Sequence, residues 1–338
     1  MIKYCILFIT AFFLIAWATP SPEKLPIEDR SVIEVLEDLG VSYADKKANM
    51  SIKGVSAEVG EALVKTGFAP KPNGGKTGKQ SKHFVCTSCH NVVQEDPDLA
   101  DLDPQARLEY SELRGIPYLQ GTTLFGAVNR ETYYNGDYDK KYGELVEPAR
   151  NDIRGAIQLC AIECAQGREL KDWELESILA YLWTIDIQMS DLDLAGEELE
   201  LLQLAVEGKS SRSEGVELIQ SKYASHAPAH FILPPDDRKK GTGLVGNAEN
   251  GKLIYDNSCL HCHYNMRYSY FHLDDHKLSF KHLKRNMGKF TRHSIYQVIR
   301  WGVPTKSGKS SYMPQYTEEK MSDQQLADLR AYIVERAG

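Results

Sequence analysis

The sequence predicts a mostly α-helical chain in which one kind of unit occurs twice, the copies joined by a helical and Pro/Gly-rich linker. Three observations predict it. Short segments with apolar residues at helical spacing recur along the chain. A Cys-x-x-Cys-His motif occurs at 86–90 and again at 259–263, each time with one such segment before it and another behind it. Between the copies, residues 226–246 carry Pro228, Pro234, Pro235, Gly241, Gly243 and Gly246 with a charged cluster, the composition of an interdomain linker. The length of 338 residues suits two ordinary domains, and 42% hydrophobic residues suffice for a core.

Taken in order, residues 1–18 read as a signal peptide. Lys3 precedes an apolar run, 4–18, that ends Ala16-Trp17-Ala18, a small-residue site for cleavage after Ala18. The run is shorter than the roughly 20 residues that span a bilayer; an uncleaved anchor is the alternative. The expected product is periplasmic or otherwise exported, soluble, and without Cys5. Residues 19–55 are charged and read as an N-terminal surface arm with one amphipathic helix over Val32–Leu39.

The first unit spans 56–190. It opens with a helix over 56–65, Ser56 as N-cap and Gly67 as stop. A basic Gly/Lys/Pro loop, 70–82, leads to the first motif. Residues 91–150 are polar and rich in Tyr, Asp and Gly; a helix over 107–114 is expected, and loops elsewhere, as suits chain wrapped round a large cofactor. Residues 172–185 form an amphipathic helix. Residues 191–246 supply one or two helices within 195–223, then the linker. The second unit, 247–338, repeats the order of helix, motif, loops and closing helix.

The formal charge of -7 argues against nucleic acid as partner and permits docking to a basic redox protein, although solubility alone accounts for it.

Val85-Cys86-Thr87-Ser88-Cys89-His90 and Ser258-Cys259-Leu260-His261-Cys262-His263 carry the chemistry. Two thiols at this spacing add across the two vinyl groups of one haem, and the next residue offers an imidazole to the iron. Zinc binding or a thiol redox pair would also use Cys-x-x-Cys, but neither needs His next in both copies. The expected cofactors are therefore two covalently bound haem c groups. Cys86, Cys89, Cys259 and Cys262 are the attachment points, and His90 and His263 the iron ligands. Cys160 and Cys164 are left over.

The second unit resembles a class I cytochrome c domain. Asn247-Ala248-Glu249-Asn250-Gly251-Lys252-Leu253-Ile254-Tyr255 stands as its first helix, and Met313-Pro314-Gln315-Tyr316 with the helix from Met321 to Ile333 as its axial methionine and closing helix. The resemblance implies Met313 as sixth ligand. Met266 lies too close to His263 to reach the other haem face; Met287 is the rival. Both units thus read as cytochrome c-like haem domains.

In the first unit no methionine occurs between His90 and Ile185. Laying residues 170–182 on 321–333 puts Cys160-Ala161-Ile162-Glu163-Cys164 where Met313 sits in the other copy. A thiolate is a competent axial ligand that lowers the potential; a Cys160–Cys164 disulfide and two free thiols remain open.

Residues 59–184 resemble the N-terminal domain of thiosulfate dehydrogenases and of the related haem-carrying component of the sulfur-oxidation system. Ile157-Gln158-Leu159-Cys160, the spacing from Cys160 to Gly167, Leu170 and Ala180-Tyr181-Leu182-Trp183 carry the resemblance. It implies Cys160 as distal iron ligand and catalytic cysteine, thiosulfate coupled to tetrathionate, and electrons passed through the second haem. Trp183 is one residue short of the family spacing, Glu163 and Cys164 replace an Arg-Ser pair, and residues 95–120 are an unfamiliar insert. Glu163 would repel an anion unless Arg130, Arg150, Arg154 or Arg168 compensates.

The expected function is electron transfer by an exported di-haem c-type cytochrome, with thiosulfate dehydrogenase-like oxidoreductase activity as the enzymatic reading. The partners are a soluble or membrane-bound redox protein and a small inorganic sulfur anion. A non-enzymatic di-haem carrier is the alternative. A di-haem peroxidase would fit the length and haem count, but no Trp-Asp-Gly-Arg-like segment lies between the motifs.

Overall fold

A computed structural model of the protein describes residues 25–303 and 313–338. The signal-peptide reading of residues 1–18 lies outside the described residues.

The mostly α expectation holds: among the described residues there are helices and isolated bridges but no strand. In chain order the helices are α1 (Val32–Leu39), α2 (Ala57–Thr66), α3 (Pro104–Arg114), α4 (Asp139–Tyr142), α5 (Ile153–Leu159), α6 (Asp172–Leu182), α7 (Gly196–Val206), α8 (Arg212–Ser221), α9 (Ala248–Ile254), α10 (Leu260–His263), α11 (Lys277–Met287), α12 (Ile295–Trp301) and α13 (Asp323–Ala337). No described helix is long and apolar enough to cross a membrane.

Local signals set the ends of the principal helices. Ser31 caps α1 in a capping box with Glu34. The Ser56 hydroxyl accepts from Val59 N–H, and Gly67 ends α2 at φ 76°. Ser322 and Gln325 form the capping box of α13.

Two cores result. In the first, α1 buries Val32, Ile33, Val35, Leu36 and Leu39 and packs on α7 and α8, in one cluster with Leu179, Leu202, Ala205 and Ile219. Residues 32–39 of the arm are therefore packed into the core of the first unit. Fully burying one such aliphatic chain is worth about 1.5–3 kcal/mol. The apolar stripe of α1 is visible in the sequence, but its cover comes from helices roughly 140 residues or more further along the chain, beyond any local signal.

The same helix crossing is built twice. A Cβ placed on Gly60 would lie 1.9 Å from the Ser177 carbonyl oxygen and 2.8 Å from Tyr181 Cβ. One placed on Gly251 would lie 2.0 Å from the Asp328 carbonyl oxygen and 2.9 Å from Tyr332 Cβ. Thus α2 meets α6 as α9 meets α13, in the register that lays 170–182 on 321–333. Because the obstacle is backbone, it cannot swing away. Gly251→Ala is expected to lose about 1–3 kcal/mol as an overpacked contact. Gly196→Ala, which meets nothing within 4 Å, should be near neutral. Urea midpoints of the two variants make the comparison; equal midpoints would contradict the close crossing.

The second core holds Tyr255, Phe280, Leu283, Tyr296, Leu326, Leu329 and Tyr332, together with Leu108 and Tyr118 from the insert at 95–120. Helix α3 was expected, but its docking was not. Tyr118 N–H donates to Asn257 O (2.9 Å), Tyr118 Oη to Gln325 Oε1 (2.9 Å), and Arg107 Nη2 to Lys320 O (2.9 Å). The insert therefore fastens the two motif regions together.

Candidate haem sites

The first cavity gathers Cys86, Cys89 and His90 with Cys160 and Cys164. Its apolar walls include Leu63 and Val64 of α2 and Ile178 and Leu182 of α6, so the close crossing at Gly60 also shapes the cavity. His90 Nδ1 donates to the Thr122 carbonyl at 2.6 Å. A carbonyl only accepts, so the ring proton sits on Nδ1 and Nε2 keeps its lone pair for a metal. Gly121 permits this approach: a Cβ there would be 2.6 Å from His90 Cε1 and Nδ1 and from Cys89 O.

The second cavity gathers Cys259, Cys262, His263 and Met313. His263 Nδ1 donates to Phe271 O at 2.7 Å, the same device as at His90. Burial pushes both imidazoles down, which favours the neutral, ligating form. Met313 is fixed by Val303 N–H to Met313 O (2.8 Å) and by Met313 N–H to Val303 O (3.3 Å). Gly302 makes room beside it, since a Cβ there would lie 2.3 Å from Met313 O. Met287 is buried in the core outside this lining, and Met266 is exposed. Met321, two residues before α13, also lines the cavity and is fully packed. Burial pushes up the motif thiols, Cys86 to about 11 and Cys259 and Cys262 to about 12.

Each cavity therefore fits a haem c by the chemistry of its donor set: two thiols, an imidazole with Nε2 free, and a further sulfur ligand within the same walls. Phe84, Gln120 and Pro314 line both cavities, so one layer of side chains divides them. The Gln120 carbonyl accepts from Tyr316 Oη (3.4 Å), and Tyr316 bonds to Ser258 beside the second motif.

Cys160 and Cys164 bound a π-helical turn closed by Ala165 N–H to Cys160 O at 2.8 Å. The wide turn brings positions four apart into line. The two cysteines are unbridged, and their side chains interact with each other. The bond to Cys164 and then burial raise the Cys160 thiol. Cys164 is lowered by the bond from Cys160, against burial, with help from Tyr142 and Lys141. Tyr142 Oη lies 3.7 Å from Cys164 Sγ. The resemblance to thiosulfate dehydrogenases singled out Cys160; both sulfurs line the cavity.

The cations near this turn were not legible in the sequence. Arg150 is tied to Asp139 (2.8 Å), Arg154 to Glu176 (2.6 Å) and Arg168 to Glu174 (2.5 Å). Arg130 lines the cavity and donates to Thr123 O (3.0 Å), on the His90 side. The cation beside Cys164 is Lys141, which burial pushes down to about 8 and which bonds to Gln315. Glu163 is exposed. Lys141 had no motif to mark it, being one of two adjacent lysines in a polar stretch.

No curated protein and no solved structure matches the chain. Residues 246–333 match the family described as cytochrome C oxidase, cbb3-type, subunit III. The C-terminal unit, with its Cys259, Cys262 and His263 motif, is thus a cytochrome c domain, and its role is electron transfer by a covalently bound haem c.

Proposed function

We propose that the whole chain is an exported di-haem c-type cytochrome. Cys86 and Cys89 would attach a haem in the first cavity and Cys259 and Cys262 one in the second, with His90, Cys160, His263 and Met313 on the irons. The observation that carries this reading is the repeated device of a motif histidine whose Nδ1–H is fixed on a backbone carbonyl inside a sulfur-lined cavity. Bound haem supplies one-electron redox chemistry at each site. The shared wall of Phe84, Gln120 and Pro314 supports exchange between them.

The enzymatic reading is oxidation of two thiosulfate ions to one tetrathionate with release of two electrons. The positive charge of Lys141 beside Cys164, with the hydroxyls of Tyr138 and Tyr142 on the cavity lining, supports it by favouring an anion near Cys160 and Cys164. The carrier reading is favoured by the pairing of Arg150, Arg154 and Arg168 with carboxylates, which leaves them committed elsewhere. Reduction of ferricyanide by the holoprotein on addition of thiosulfate decides: no thiosulfate-dependent rate means the carrier.

Cys160→Ala is expected to abolish the thiolate-type low-spin ferric resonance of the first haem and to raise its potential. Cys164→Ala should leave the resonance in place. The reverse pattern moves the ligand to Cys164 and weakens the thiosulfate reading, which rests on Cys160.

The redox partner is proposed to be acidic where it meets the second haem. Lys281, Lys284, Arg285 and Lys289 are exposed on and just after α11, and exposed Arg292 lines the second cavity, so this face opposes the overall charge. Its association rate should then fall with ionic strength.

A further inference from the structure

We propose that Glu95 sets the potential of the first site by polarising the peptide that holds His90. The Thr122–Thr123 peptide is gripped at both ends. Its carbonyl accepts from His90 Nδ1 at 2.6 Å, and its N–H donates to Glu95 Oε1 at 2.9 Å. The two ends of an amide are conjugated. A full negative charge on the N–H shifts electron density to the oxygen, which then draws harder on the His90 proton. The imidazole gains anionic character and favours the oxidised iron.

Glu95 is built for this role. It is fully buried, and its carboxylate is held by Lys320 Nζ (2.8 Å), Asn91 Nδ2 (2.9 Å) and Arg107 Nη1 (3.5 Å). Burial would raise this carboxyl, but the charges of Lys320 and Arg107 hold it down to about 2. An ion pair that merely stapled α3 to the second unit would need no bond to the amide behind the ligand. At the second site Phe271 O plays the part of Thr122 O, but among the described residues no carboxylate accepts from the following His272 N–H. The device therefore lowers the first site relative to the second, so that electrons run from first to second. Lys320 comes from the second unit, so that unit takes part in setting the first site.

The inference rests on His90 as an iron ligand, which haem content and the visible spectrum check separately. In the full-length holoprotein, Glu95→Gln keeps an acceptor for Thr123 N–H and removes the charge. Redox titration should show the first haem more easily reduced by at least tenfold in its reduced-to-oxidised ratio, about 59 mV for one electron, and the second haem moved much less. The His90 Nδ1–H proton resonance of the ferrous protein should move upfield as its bond weakens. Lys320→Gln, also the fallback if the first variant does not fold, should shift the first haem the opposite way. An unmoved first potential, equal shifts at both haems, or a potential shift without a proton shift would each overturn the proposal. If the first motif carries no haem at all, it is the di-haem reading that fails.

Discussion

Replacing Cys86 and Cys89 together with Ser is expected to halve the haem content, from two equivalents per chain to one, and to unfold much of the first core. The double loss removes both thioether bonds, and iron ligands alone hold a haem only reversibly. The first core is arranged round the cavity: Leu63, Val64, Ile178 and Leu182 all present side chains to it. Without a haem those side chains face solvent or an under-packed space, at a cost of about 2–5 kcal/mol for each large aliphatic contact surface lost. Haem stain on denaturing gels with a pyridine haemochrome count measures the first effect, and far-UV circular dichroism the second. An unchanged haem count in the double variant would mean that the first motif does not bind haem.

The second large effect is expected at Met313. Met313→Ala should remove the weak near-infrared band of a methionine-ligated ferric haem and lower the potential of the second site. Axial ligands move haem potentials over about 0.8 V, and methionine lies at the high end, so the drop should be on the order of a hundred millivolts or more. Met313 is anchored through its own backbone pairing with Val303 and the clearance at Gly302, so the side chain can be removed without breaking that pairing. Met287→Ala is the control: it is a core residue outside the cavity lining and should cost stability while leaving the band and the potential in place. Met321→Ala completes the set, since Met321 also lines the cavity. If the band follows Met287 or Met321, Met313 is not the ligand.

The parts of this protein that its sequence determined are those whose chemistry is local. The motifs at 86–90 and 259–263 were legible because two thiols and an imidazole must be spaced this way to take one porphyrin. The caps at Ser56 and Gly67 were legible because capping acts within a turn. The register of the closing helices was legible because Tyr181 and Tyr332 meet Gly60 and Gly251 in the same way, and both pairs survive as a pattern in the chain. Tertiary structure alone decided the rest. It put α1 into a core, sent Leu108 and Tyr118 of the insert into the second core, placed Lys141 beside Cys164, and set Lys320 on Glu95 across 225 residues of chain. A buried charge such as Glu95 has no sequence signature, because it is stable only where cations and an amide from distant segments surround it. That surrounding exists only once the two units have packed against each other.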